Sequence, residues 1–383
     1  MTTATATGLR LSVLQKPLAA ALAAVNRIAK GTHLPITLNV MLTATEGVLT
    51  LRATNLEQQI TVTVGAKCEG EGTVMVEAAR LHALVGTLPD DRVDLTVTDR
   101  TLLLACGRTK ARFPLADPAD FPPAPEMTGE PLATVGAGAL RTAIKRVLPA
   151  AATDVTRPVL TAVFVQFGTE TADLAAANGF ALSVTRMALA SGPKTKRDLL
   201  IPATALRELD RLLGGEGAVE ITADANRVRF RVGATELTAQ LVQGNFPNYP
   251  QLIPAWRGFG VTVDAEEFAR AVRNCAVMGL ITKDGGSISV RFEAMPGEVG
   301  SLRLWSGQDE GGANETIIDA VIEGEPPSKI ALAEDQMSGV LGVMTGKIVM
   351  EWNSALAPAV FSPVVGGREE MLAVVMPMFV KLD

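Results

Sequence analysis

Aromatic side chains are scarce in this chain of 383 residues, with one Tyr, 3 Trp and 12 Phe. The core must therefore rest on Ala, Val, Leu, Ile and Met. Histidine is scarcer still. His33 and His82 are the whole supply, and neither sits in an HExxH, HxH or Cys/His arrangement. A metal site would need carboxylates alone, and a nucleophile relayed through histidine would have to recruit one of these two. No metal and no cofactor are expected. The three cysteines, Cys68, Cys106 and Cys275, are far apart and odd in number, which argues against a disulfide framework and for a reducing compartment. No stretch approaches the roughly 18–20 uninterrupted apolar residues of a membrane span. A Walker phosphate loop is missing too. The nearest imitation of a dinucleotide fingerprint, Val135-Gly136-Ala137-Gly138-Ala139-Leu140-Arg141, lacks the third glycine and puts arginine where a helix should close on a strand. It reads as a strand-to-helix turn. Nothing resembles a catalytic constellation, and the chain is expected not to be an enzyme.

What is present is ordinary globular material: 48% hydrophobic and 20% charged residues, with 35 Gly and 22 Pro in no strict period. That excludes disorder and collagen. At about 150 residues per domain, two or three domains are expected. Lys and Arg number 35 against 41 Asp and Glu, a net charge of −6. A nucleic-acid partner is then compatible only with basic residues gathered on one surface. Leu18–Val25 imitates a short signal sequence, but Asn26, Arg27 and Lys30 continue its helical pattern, so a cytoplasmic location is expected.

The informative feature is a long internal repeat. Leu9–Val13, Pro131–Val135 and Gly260–Val263 each read as a short strand. Each is followed by a helix, over about Pro17–Lys30, Gly138–Leu148 and Asp264–Met278, with Asp264 as a plausible N-cap. Alternating strands follow, at Val48–Thr54, Ala172–Ala177 and Gly300–Trp305. A second helix then enters each time, over Glu77–Gly86, Ala203–Leu213 and Ala333–Met344. Proline-rich exits at Arg112–Pro123 and Gly244–Pro250 close two of the units, because proline cannot continue a strand ladder. The expected domains are 1–128, 129–257 and 258–383, each a strand–helix–strands module repeated twice. The fold class is α+β with antiparallel sheets.

The first helices of units one and two are basic and free of acid, carrying Arg27 and Lys30, then Arg141, Lys145 and Arg146. Leu18, Leu22 and Val25 share one helical face with Arg27 opposite; Leu140, Ile144 and Val147 share another, with Arg141 and Lys145 beside it. Arg207 and Arg211, then Arg270 and Arg273, continue the stripe in company with acids. Two readings stand: solvated outer faces, or a common surface turned toward a polyanion. No aromatics interleave with these bases, so the second reading means duplex phosphates contacted without regard to sequence.

This layout resembles the bacterial DNA polymerase III β subunit, the sliding-clamp family. Three features carry the resemblance across nearly the whole chain: the threefold repeat, the exit Leu241-Val242-Gln243-Gly244-Asn245-Phe246-Pro247-Asn248-Tyr249, and the ending Val374-Val375-Met376-Pro377-Met378. Leu34-Pro35-Ile36 after the first helix agrees with them. The resemblance implies three tandem DNA-clamp domains in a head-to-tail homodimeric ring, with helices lining a hole around duplex DNA and sheets outside. It implies a processivity factor in DNA replication, associated with the nucleoid, that tethers a clamp loader, the replicative polymerase and repair proteins.

Carried over by position, partner peptides would dock on Leu160, Gly179, Phe180, Leu182, Pro247, Leu252, Val374, Met376, Pro377 and Met378. Read from the residues alone, the apolar tail is equally a last strand buried in its own core; methionines suit a surface that accepts varied apolar groups. The dimer interface would use Phe113 and Leu115 against Val277 and Met278. Arg157 matches a DNA-proximal loop position, although Pro158 and Val159 replace aromatics often found there. Asn178-Gly179-Phe180-Ala181 stands where the family often has Asp-Gly-His-Arg, and the tail runs on through Phe379 to Asp383. The rival class is a multidomain enzyme acting on carbohydrate or nucleotide with carboxylates only.

Overall fold

A computed structural model describes residues 8–30, 34–123, 127, 129–256, 258–277, 288–308 and 312–380. Six principal helices lie where the repeat places them: α1 Gln15–Ile28, α2 Ala78–Thr87, α3 Ala137–Val147, α4 Ala203–Leu212, α5 Ala265–Ala276 and α6 Glu334–Leu341. Each follows a strand directly, and every pairing between the named strands is antiparallel.

The chain divides into two compact units. One is Met1–Ala137 with Arg211–Leu241; the other is Gly138–Asp210 with Val242–Asp383. Residues 129–257, expected as one domain, are thus shared between the two.

In the first unit, five strands run in the order Lys67–Glu69, Arg10–Leu14, Arg92–Thr98, Thr101–Cys106, Thr109–Pro114. An eight-stranded sheet joins Ala133–Gly136, Ala218–Ala223, Arg227–Val232 and Thr235–Gln240 to Gln58–Gly65, Val48–Thr54, Asn39–Thr45 and Gly72–Glu77. Its middle seam pairs Leu237 with Ile60, strands separated in sequence by the expected boundary at 128. α1 turns Leu18, Leu22 and Val25 fully inward, as the helical spacing requires. No side chain caps its start; instead buried Gln15 donates from Nε2 to the Val85 carbonyl of α2 at 2.8 Å. That bond satisfies an amide that burial would otherwise penalise.

In the second unit a nine-stranded sheet runs Arg197–Pro202, Ala162–Phe167, Thr171–Ala177, Ala181–Ala188, Met371–Val375, Ala359–Pro363, Lys347–Glu351, Gly260–Asp264, Val321–Glu323. A four-stranded sheet runs Gly312–Asp319, Ser301–Gln308, Ser289–Met295, Ile330–Ala333. The scarce aromatics are concentrated here: Phe268 lies 5.8 Å from Phe292 and 6.2 Å from Phe361, and all three are fully buried. Asp264 caps α5 as its position suggested, its Oδ1 accepting from the backbone N–H of Glu266 at 3.1 Å and Glu267 at 3.0 Å.

Candidate partner-peptide pocket and nucleic-acid interface

The seam of the nine-stranded sheet sets out the apolar site. Ala181–Ala188 pairs with Met371–Val375 in the register Leu182 to Val374. Side chains on one face of that seam collect Leu160, Ala177, Leu182, Val360, Leu372 and Val374 into one small buried cluster. Phe246, Tyr249 and Ile253 from the proline-rich exit pack against it. Phe246 stacks on Phe164 with centroids 5.5 Å apart, and Tyr249 meets Phe246 at 6.4 Å. Burial pushes the Tyr249 phenol above its ordinary range, with the Asp173 carboxylate adding to the effect.

The ten residues expected at the pocket differ in burial. Leu160, Leu182 and Val374 are buried. Pro247 and Leu252 are exposed, and so is Met376, whose amide donates to the Phe180 carbonyl at 2.8 Å. Gly179, Phe180, Met376, Pro377 and Met378 line an adjoining groove of about 640 Å³. The tail is held there by a bridge between Pro377 and Leu332 and by the Met378 amide donating to Ala331 at 2.8 Å. Within the tail, Val374 and Pro377 are buried while Met376 faces solvent.

The turn joining Thr171–Ala177 to Ala181–Ala188 is built by Asn178 and Gly179. The Asn178 Oδ1 accepts from the Phe180 amide at 2.9 Å and the Ala181 amide at 2.8 Å, and Gly179 takes φ +95°, which disfavours a side chain. Phe180 is left 65% exposed.

The basic residues are less uniform than their helical spacing suggests. On α3, Lys145 is exposed, but Arg141 pairs with Asp210 at 3.3 Å and Arg146 with Glu370 at 2.6 Å. Arg27 on α1 is half-buried and donates to the Ala23 carbonyl at 3.1 Å, whereas Lys30 beyond its end is exposed. Arg207 is half-buried; Arg211, Arg270, Arg273 and Arg157 are exposed. Near Arg157 the Asp154 carboxyl is held below its usual range, chiefly by hydrogen bonds from the Thr156 hydroxyl and amide.

Residues 9–125 match the N-terminal domain of the DNA polymerase III beta subunit, and residues 134–248 match its central domain. The chain belongs to the DNA polymerase III β-subunit family. A beta sliding clamp of Synechococcus elongatus is 29% identical over 354 residues, covering 90% of this chain and 92% of the relative. One from Synechocystis is 28% identical, covering 97% and 99%. The fold is that of a DNA polymerase sliding clamp from Bacillus subtilis, with TM-score 0.90, 20% identity and coverage of 98% and 100%. A Pseudomonas aeruginosa clamp bound to griselimycin gives TM-score 0.90 at 23% identity, covering 97% and 100%.

Within this β-subunit chain, the residues expected at a dimer interface differ in availability. Phe113 and Leu115 are 6% and 8% exposed, so both are already packed inside their own unit. They cannot bring the full burial energy of a large apolar side chain to an interface. What the strand Thr109–Pro114 does offer is an edge, since it is last in its sheet, and Gly312–Asp319 is likewise the edge of the four-stranded sheet. Val277 is 79% exposed, and Met278 lies outside the described residues. Sequence reasoning did not single out Phe164, Phe246, Tyr249 and Val360, which lie in or against the apolar cluster at the Leu182–Val374 seam. The motif that contains Phe246 and Tyr249 was visible, but which of its side chains turn inward depends on a stacking partner far away in sequence. Among the described residues no group of three His, Cys, Asp or Glu side chains is arranged to hold a metal, and no helix is long and apolar enough to cross a membrane.

Proposed function

We propose that this chain acts as the β sliding clamp does: a non-catalytic processivity factor of DNA polymerase III that encircles duplex DNA and tethers other proteins by short apolar peptides. The observation that carries the reading is the apolar cluster at the Leu182–Val374 seam, together with the exposure of the apolar side chains of Met376, Leu252 and Phe180. A methionine rim adapts to varied apolar side chains at low cost.

The site assignment follows. Leu160, Leu182 and Val374 form the floor that receives a peptide's apolar end; Met376, Pro247 and Leu252 close over it. Lys30, Lys145, Arg157, Arg211, Arg270 and Arg273, which are exposed, supply phosphate contacts, with Arg27, Arg141, Arg146 and Arg207 in a lesser role because they are half-buried. The three-domain division at 128 and 257 is retained, each boundary being bridged by a continuous sheet. Two copies associate head to tail by pairing the open strand edges Thr109–Pro114 and Gly312–Asp319, assisted by Val277. The ring works in the cytoplasm, on the nucleoid.

A labelled peptide of the glutamine–leucine–x–leucine–phenylalanine kind tests the pocket. Met376→Ala should weaken its binding by about 1 kcal/mol or more, as loss of an exposed side chain that binding buries as an anchor usually does. Unchanged affinity places the pocket elsewhere.

A further inference from the structure

The groove beside the pocket differs from the pocket in chemistry. Its described lining comprises Gly179, Phe180, Ala333, Asp335, Gln336 and the tail residues Met376–Val380. Two phenylalanines border it and both are solvent-facing, Phe180 at 65% and Phe379 at 85% exposure. Asp335 is the one charged side chain among the described lining residues. At about 640 Å³ the space suits a few peptide residues, not a whole folded partner.

The walls are held in place by a polar relay. Gln336 Nε2 donates to Asp335 Oδ2 at 2.9 Å, and Gln336 Oε1 accepts from Asn178 Nδ2 at 2.8 Å. Asn178 in turn fixes the amides of Phe180 and Ala181. The carboxylate and one aromatic ring thus belong to a single hydrogen-bonded frame, linking α6 to the turn after Thr171–Ala177. The other aromatic arrives on the tail, which is anchored at Pro377 and Met378.

We propose that the part of the peptide site formed by this groove is charge-selective in this chain, and that it takes a lysine or arginine flanking the apolar motif of a partner peptide. The proposal rests on the reading of the Leu182–Val374 seam as a peptide pocket. Met376 belongs to both, so a chain leaving the pocket passes directly into the groove. A cationic side chain there has within reach the exposed rings of Phe180 and Phe379, since aromatic faces attract cations through the ring quadrupole, and the Asp335 carboxylate, which pairs with it. Its methylene stem covers the apolar tail while the charged head stays wet. An acidic flank meets the same carboxylate and is repelled. Gln336 acts as a positioning residue, because it holds both Asp335 and Asn178.

The test uses the full-length protein and three labelled peptides with one apolar motif and a flank of lysine, glutamine or glutamate. The parent protein should bind the lysine peptide roughly three- to tenfold tighter than the glutamate peptide, which is what a partly exposed ion pair with a cation–π contact provides. The preference should shrink as salt rises. Asp335→Lys should reverse the order, and Phe379→Ala should reduce the advantage of the lysine peptide over the other two. Gln336→Ala should weaken discrimination, and Gln336→Glu should not restore it, since a carboxylate cannot donate to Asp335. Equal affinity for the lysine and glutamate peptides, with all three still sensitive to Met376→Ala, overturns the groove but not the pocket. If no peptide binds, or none responds to Met376→Ala, both readings fall.

Discussion

Gly244 takes φ +131°, and a Cβ added there would come within 3.0 Å of Val159 Cγ2. The backbone conformation disfavours a side chain, and one added there would also press on Val159, which gives the glycine of the Leu-Val-x-Gly-x-Phe-Pro exit a structural cause. It lets the chain fold back so that Phe246 can reach Phe164. Gly244→Ala should cost about 1–3 kcal/mol, the usual penalty for forcing a side chain into such a region. A urea titration reads this as a lowered midpoint at constant slope; a midpoint equal to the parent's would show that the exit is not fixed at this residue. Asn178 raises the same question from the other direction. The two bonds its side chain accepts from the Phe180 and Ala181 amides, and its bond to Gln336, should make Asn178→Ala destabilising by about 1 kcal/mol or somewhat more. This Asn-Gly turn was not singled out from the sequence, although such a pair favours one. That the asparagine also reaches α6 left no local trace, because nothing nearby in sequence connects positions 178 and 336.

At the scale of elements, helices were the most legible part of the chain. The 3.6-residue spacing of Leu18, Leu22 and Val25, and of Leu140, Ile144 and Val147, put the right side chains inside, and the helix limits differ from expectation by only a few residues at their ends. Charge on those helices was less legible, since pairing is a tertiary event. Arg146 bonds Glu370 and its own carbonyl accepts from Ser183 Oγ at 2.7 Å, so α3 is tied to the sheet through the residue that sequence reasoning assigned to DNA. Lys145→Ala should therefore flatten the salt dependence of duplex binding by about 0.9 log units for one lost phosphate contact, without changing stability. Arg146→Ala should instead lower stability by about 0.2–1 kcal/mol, the range of a partly exposed ion pair, with a smaller effect on the salt slope. Salt titrations and denaturation of the two variants separate these roles. An equal loss of slope in both would mean that the Arg146–Glu370 pair opens for DNA.

For the whole molecule, the repeat announced itself in the order of strands and helices, but the sheets did not stop where the repeat does. Thr235–Gln240 pairs with Gln58–Gly65, and Ala181–Ala188 pairs with Met371–Val375, so both expected boundaries are crossed by backbone hydrogen bonds. Strand partners so distant in sequence leave no local trace, whereas the proline-rich exits do. The same limit applies to the proposed dimer. Phe113 matched an interface position, yet its side chain is buried at home. Phe113→Ala should then destabilise the protomer by about 3–5 kcal/mol, as truncating a core phenylalanine does. Val277→Asp is the cleaner probe. With Val277 so exposed, the aspartate should leave folding intact and shift the sedimentation mass toward monomer at low micromolar concentration. A dimer that persists would move the contact away from α5.

On the proposed function, two copies close around duplex DNA and hold it topologically, without gripping any sequence. The direct measurement is retention on plasmid, after clamp-loader treatment, before and after one restriction cut. Protein should co-migrate with the closed circle through gel filtration in high salt, where phosphate contacts are screened, and be lost once the circle is made linear. Equal retention on circular and linear DNA, or none on the circle, would contradict it.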